Sequence, residues 1–196
     1  MKPMAYNTGP LIIVSGPSGV GKSTVVDELL KRSAMPLRRA ITATTRAPRA
    51  GETAGVSYHY WSRDTFDRAV REGRMLEFAV VFGTDHYGTP RNEVDPHRAN
   101  GVGVILVIDV QGAERVRLLC PDAVSVFIRP PTFEELEARL RGRGDLAEDR
   151  IQRRLTTARA EMARAGEFDS VIINDNLDRA VEELESLVRA QFTTGG

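Results

Sequence analysis

Four short apolar runs punctuate the chain, at residues 11–14, 104–108, 124–128 and 171–173. Each is too short for a helix and nearly continuous, with no polar alternation, the pattern of a strand covered on both faces in a parallel sheet. After these runs, apolar residues recur at three-to-four spacing: Val25, Val26, Leu29 and Leu30, then Leu136 and Leu140, then Val181, Leu184, Leu187 and Val188. That period marks helices with one buried face. Strand and helix alternate, and right-handed crossovers assemble such a chain into an α/β fold with a doubly wound parallel sheet.

Two segments depart from the alternation. Residues 44–90 place Pro48, Gly51, Gly55, Gly83 and Gly88 between short aromatic and β-branched pieces such as residues 56–61, which predicts a small, mostly β insert after the second strand. Residues 141–149, RGRGDLAED, combine two glycines and strong charge with Leu146 as the one apolar side chain larger than alanine. Such a stretch is not core. A helical stripe of Ile151, Leu155, Ala158 and Met162 follows, and residues 141–160 together predict a hinged helical flap. The expected organisation is a single domain over residues 1–196, with a core at 10–43, 91–140 and 161–192, an insert at 44–90 and a lid at 141–160.

Composition narrows the classes. Apolar residues at 41% and charged residues at 28% describe a folded chain. The 27 basic residues balance 27 acidic ones, so the surface as a whole offers no footprint for nucleic acid or an anionic membrane, and an anion site must be local. No apolar run approaches the roughly 20 residues of a membrane span, and MKPMAYNTGP at the start lacks a secretory apolar core. One cysteine, Cys120, excludes an internal disulfide and fits a reducing compartment, with a packed helix-end thiol as its ordinary role. The expected location is cytoplasmic. His59, His86 and His97 form no metal-ligand spacing with Cys120.

The local anion site lies directly after the first strand. Gly16-Pro17-Ser18-Gly19-Val20-Gly21-Lys22-Ser23 satisfies G-x-x-x-x-G-K-[ST] in a strand-loop-helix setting. Its glycines let successive N–H groups and the helix N-terminus face phosphate oxygens. Lys22 adds a charge at the β and γ phosphates, and Ser23 offers a hydroxyl to Mg²⁺. With Thr24, these residues form the expected ATP-phosphate set. Asp109 ends the second apolar run, where a carboxylate can hold a metal's water shell or a second substrate, and can equally cap the helix that starts near Gln111.

The arginines suggest what is phosphorylated. Thr44-Thr45-Arg46-Ala47-Pro48-Arg49 spaces two guanidinium groups around a proline, with Tyr58 further on, a set suited to a dianionic monophosphate. Arg143 and Arg154 bracket the polar flap, and its closure would bring their charge to a transferring phosphoryl group.

At this point the residues resemble a known family. GPSGVGKST, TATTRAPRAGE with Tyr58, LEFA at residues 76–79, YGT at 87–89, IDVQGA at 108–113, RGRG followed by IQRRL, and INDNLDRA at 173–180 are together similar to the guanylate kinases, in order from about Leu11 to Phe192. The resemblance implies a P-loop NTPase core, a GMP-binding insert and a helical lid, and transfer of the γ-phosphoryl group of ATP to GMP, or dGMP, with Mg²⁺ as cofactor. It implies that Arg46, Arg49, Tyr58, Tyr87 and Thr42 hold the GMP phosphate. Glu77 and Thr89 would read guanine, and Asp109 would sit between nucleotide and metal. Arg143 and Arg154 would be lid arginines, Arg139 would pack on adenine and Asn174 would lie in the adenine loop. Lys22, Arg49, Arg143 and Arg154 form the implied catalytic set. The chemistry agrees with the base assignment, since a glutamate accepts from guanine N1–H and the 2-amino group together while a hydroxyl donates to O6.

Three departures from the family pattern accompany the match: Val107 at an acidic position, one extra residue between Gly83 and Gly88, and Arg-Gly-Asp-Leu in the lid. Scaffold modules of this fold commonly lose the phosphate loop, which is intact here. A sugar-phosphate kinase would share core and lid without needing Glu77 or Thr89.

Overall fold

The computed structural model describes residues 8–49, 51–81, 85–142 and 147–193. In chain order the strands and helices are β1 (Leu11–Ser15), α1 (Lys22–Arg32), β2 (Leu37–Arg39), β3 (Ala43–Thr44), β4 (His59–Tyr60), α2 (Arg63–Arg71), β5 (Met75–Val81), β6 (Asp85–Pro90), α3 (Asp95–Ala99), β7 (Gly103–Val107), α4 (Val110–Leu119), β8 (Val124–Arg129), α5 (Phe133–Arg141), α6 (Glu148–Ala163), β9 (Ser170–Ile173) and α7 (Leu177–Thr193).

Five strands form a parallel sheet in the order β2-β7-β1-β8-β9. Alternate residues of the central strands feed opposite cores, as the two-residue period of a strand requires. Ile12, Val14, Ile105, Val126 and Ile128 pack with α1, α5, α6 and α7, through residues such as Val25, Leu136, Leu155 and Leu184. Leu11, Ile13, Val104, Leu106 and Phe127 pack with Val110, Ala113 and Val116 of α4 and with Phe168. The layers are helix, sheet, helix.

The run at residues 171–173 differs from expectation. As β9 it is the edge strand, with Ile172 buried and Val171 and Ile173 exposed, because only one of its faces is covered.

Residues 43–90 build the insert. Its four short strands are ordered β4-β3-β6-β5, and α2, capped by the Ser62 hydroxyl accepting from Thr65 N, buries Phe66 and Ala69 against Ala43 and Met75. Leu76 of β5 joins the cluster that contains α4 and so docks the insert onto the core.

Candidate active site

The phosphate loop turns tightly between β1 and α1. Gly16 has φ 139°, and a Cβ on it would lie 2.1 Å from the carbonyl oxygen of Ile128 in the neighbouring strand β8, so only glycine passes there. Lys22 opens α1, and its Nζ donates back to the Gly16 and Pro17 carbonyls at 2.6 and 3.0 Å. Burial lowers the pKa of this ammonium, while the negative charges of Glu161 and Asp109 oppose that shift. Ser23 and Thr24 are exposed in the first turn of α1, directly after the lysine.

The residues expected around adenine meet at this loop. Asn174 Nδ2 donates to Val20 O at 2.8 Å, and the Arg139 guanidinium reaches Asn174 O at 3.1 Å and Val20 O at 3.4 Å. Asp109 stands just beyond β7 and caps α4, accepting from Gly112 N at 2.8 Å. The capping role is therefore present, and it leaves Oδ2 for other use. The donors Ser23 Oγ and Asp109 suit Mg²⁺, a hard cation that takes oxygen ligands and keeps several waters.

The insert carries the second half of the site. Arg46 donates through Nε to Tyr87 Oη at 2.9 Å and lies over the Tyr58 ring, 5.3 Å from its centroid. The expected Arg46, Tyr58 and Tyr87 thus converge, with Tyr58 and Tyr87 in edge contact. Thr42 is half-buried next to β3, while Arg49 is exposed and its backbone N–H is tied to Glu52 at 2.7 Å.

Glu52 was missed by the sequence reading. It grips Arg46 with both oxygens at 2.8 and 2.9 Å and accepts from Tyr60 Oη at 2.8 Å. Arg46 holds the Glu52 carboxyl down at about 2 despite partial burial, with the Arg49 N–H and Tyr60 helping. Four hydrogen bonds run from Arg46 to Tyr87, Ala47 and Glu52, leaving about one of the five guanidinium N–H groups for a ligand. The available signal was a glutamate six residues after an arginine inside the TRAPRAGE motif.

Glu77 and Thr89 face each other across β5 and β6, both buried, with Thr89 Oγ1 donating to Glu77 Oε1 at 2.8 Å. Burial raises the Glu77 carboxyl to about 7; the Thr89 hydroxyl opposes the rise and Asp109 adds to it. A Cβ on Gly112 would come within 3.0 Å of Glu77 Oε2, so α4 closes this pocket with a glycine. Pairing is continuous from Glu77–Thr89 to Val81–Asp85, which keeps Tyr87 and Thr89 two residues apart on one face of β6, about 7 Å along the strand. The extra-residue position at Gly83 lies outside the described residues. Val107 ends β7 half-buried against the core that holds α1.

Of the expected lid arginines, Arg154 lies half-buried on α6 and Arg143 lies outside the described residues. Residues 151–160 are not free of the core: Ile151, Leu155 and Ala158 are buried in it. From the same helix Glu161, also missed, brings its carboxylate near Lys22. Burial raises its carboxyl to about 7, Lys22 opposes the rise, and its Oε2 is buried without a hydrogen-bond partner. Its sequence signal was a carboxylate three residues after Ala158, at the margin of the buried stripe.

A parallel sheet of this order, a phosphate loop opening its first helix, and a β insert that presents arginine, tyrosines and a buried glutamate define a phosphate-loop kinase of small nucleotides. Comparison with known proteins narrows the class. The guanylate kinase family model matches residues 8–191. A guanylate kinase of Synechococcus sp. (strain CC9902) is 50% identical over 188 residues, 96% of this chain and 99% of that protein. One from Rubrobacter xylanophilus is 48% identical over 96% of this chain and 97% of its own length. The crystal structure of guanylate kinase from Anaplasma phagocytophilum superposes with a TM-score of 0.77 at 32% identity, covering 94% of this chain and 87% of that one. The chain belongs to the guanylate kinase family, whose members are phosphotransferases.

Proposed function

We propose that this chain transfers the γ-phosphoryl group of ATP to GMP, giving ADP and GDP. The observation that carries the reading is the ladder β5–β6: the buried Glu77–Thr89 pair lies two residues along the strand from Tyr87, which holds Arg46. A purine acceptor group and a phosphate-binding group therefore stand on one face at about the reach of a single nucleotide.

In this mechanism the loop from Gly16 to Ser23 cradles the ATP phosphates, with Arg139 and Asn174 beside adenine. Lys22 leaves its two carbonyl acceptors and follows charge onto the β and γ oxygens as the bond breaks. Arg46, Arg49, Tyr58, Tyr87 and Thr42 hold the GMP phosphate, and Glu52 fixes the plane of the Arg46 guanidinium. Ionised Glu77 accepts guanine N1–H and the 2-amino group, and Thr89 turns its hydroxyl from Glu77 to O6. Ser23 and Asp109, the latter partly through water, would hold Mg²⁺, which supplies charge neutralisation along the phosphates. Arg143 reaches the transferred group when the polar start of residues 141–160 closes as a lid, and Arg154 does so from the part of α6 that is seated on the core. dGMP presents the same base edge and phosphate to these residues and is read as an acceptor as well. Such chemistry serves purine metabolism and GMP recycling in the cytoplasm, where ATP is available.

The test is phosphoryl transfer from ATP-Mg²⁺ to GMP, dGMP, AMP, CMP and UMP side by side. Turnover with GMP and dGMP far above the other three is expected, and equal turnover with AMP overturns the guanine assignment.

A further inference from the structure

The insert joins the core through two chain crossings, at residues 40–42 and 90–94, and one buried side chain ties both. Glu93 closes the short turn Arg91–Glu93 that follows β6. Its Oε2 accepts from Arg38 Nη2 at 2.7 Å and from Ile41 N at 3.2 Å, and its own carbonyl accepts from Arg38 Nη1 at 2.8 Å. Its Oε1 lies 2.9 Å from His59 Nε2. Arg38 belongs to the core strand β2, Ile41 to the outgoing crossing, Glu93 to the returning one and His59 to the insert strand β4. Burial alone would raise the Glu93 carboxyl, but the hydrogen bonds from His59 and Ile41 and the charge of Arg38 outweigh it and hold the group below its usual range. It is a carboxylate with four donors aimed at or beside it.

What these contacts flank gives them a role beyond holding the fold. Ile41 immediately precedes Thr42 and His59 immediately follows Tyr58, and His59 N donates to Thr42 O at 2.9 Å. The His59 ring also stacks on Trp61.

We infer that Glu93 is a positioning residue for the monophosphate site, setting Thr42 and Tyr58 against the phosphate loop by pinning Ile41 and His59 to the core arginine Arg38. The inference rests on the proposal that Thr42, Arg46 and Tyr58 hold the acceptor phosphate. It requires no contact between Glu93 and either substrate. Loss of the tie displaces the acceptor and leaves the ATP site as it was.

Glu93→Gln removes the charge that pairs with Arg38, and its NH₂ either meets a donor or forces the His59 ring into its other tautomer, so the tie is weakened and GMP binding falls by about tenfold or more. The expected result is a KM for GMP raised about tenfold with the KM for ATP within about twofold of wild type, and Glu93→Asp, which keeps the charge, recovering part of the loss. If Glu93→Gln does not fold, His59→Phe, which keeps a ring but offers no donor to Glu93 Oε1, cuts only the tie to the insert and should raise the KM for GMP in the same selective way. A folded Glu93→Gln protein with both KM values unchanged, or with both raised equally, overturns the inference. Arg46→Ala, measured alongside, separates the two levels. A normal KM for GMP in Arg46→Ala removes the monophosphate-site reading itself, whereas a raised value there with a normal one in Glu93→Gln removes only the role of Glu93.

Discussion

Two side chains carry the sharpest expectations. Lys22→Ala should leave a folded protein with phosphoryl transfer reduced by about a hundredfold or more, because the lysine's charge matters most as oxygen charge shifts in the transition state. A normal circular-dichroism spectrum together with near-normal turnover would remove Lys22 from the mechanism. Glu77 is buried with its carboxyl at about 7, yet the guanine-reading role proposed for it needs the ionised form. GMP binding should therefore release a proton, and the KM for GMP should fall as pH rises from about 6 to about 8. In Glu77→Gln that dependence should shrink to the second ionisation of the phosphate itself, near about 6. GMP efficiency should also drop by about ten to a few hundredfold through mispairing, with discrimination against AMP lost and ATP affinity unchanged. KM values for GMP and AMP across pH in both proteins decide the matter, and a pH dependence identical in the two would show that guanine is read elsewhere. Lys22 was legible from the spacing of its own motif, and Glu77 only through the family resemblance of the stretch at residues 76–79. Glu93 and Glu161 were not given roles, because their meaning comes from partners that only the fold supplies: Arg38 lies 55 residues from Glu93, and Lys22 acts on Glu161 from another helix. Glu52 was passed over although its partner Arg46 lies only six residues away.

Among the elements, α6 combines two demands. Its stripe Ile151, Leu155 and Ala158 is seated in the main core while Glu148, Asp149 and Arg150 at its start are exposed. Leu155→Ala should destabilise the protein by about 2–5 kcal/mol, measured by urea unfolding, and a change within error would mean that the helix is not held there. Amides from Ile151 onward should exchange slowly even without ligand. The two nucleotides together should add protection at the beginning of α6, and equal exchange there with and without a bisubstrate analogue would count against a lid. The helical period of this segment was readable from sequence, as was its polar start. How deeply the helix is seated was not, since a three-to-four stripe tells that one face is covered without telling by what. The same limit explains β9: an apolar run does not reveal that its strand lies at the edge of the sheet, where the face bearing Val171 and Ile173 stays open.

For the molecule as a whole, the buried carboxyls set how stability follows pH. Glu77 and Glu161 are raised from 4.5 to about 7, so between those values the native protein holds protons that the unfolded chain has released. Stability should fall as pH rises through that window, by about 3 kcal/mol for Glu77 alone. Glu52, lowered from 4.5 to about 2, acts in the opposite sense, and its contribution is lost as pH falls from 4.5 toward 2. Urea midpoints measured from pH 5 to 8 should decline in the wild type and decline less in Glu161→Gln; matching slopes in the two would place the burial cost elsewhere. The architecture has a further consequence. The residues assigned to the base and nearly all of those assigned to the acceptor phosphate lie within the stretch 43–90, whose two ends return to the core side by side at Ile41 and Glu93. On the proposed assignments, acceptor preference is written largely in one uninterrupted passage of the gene, so recombination at its two ends would move most of it at once, with the α4 contacts of Leu76 and Glu77 as the seam to be matched.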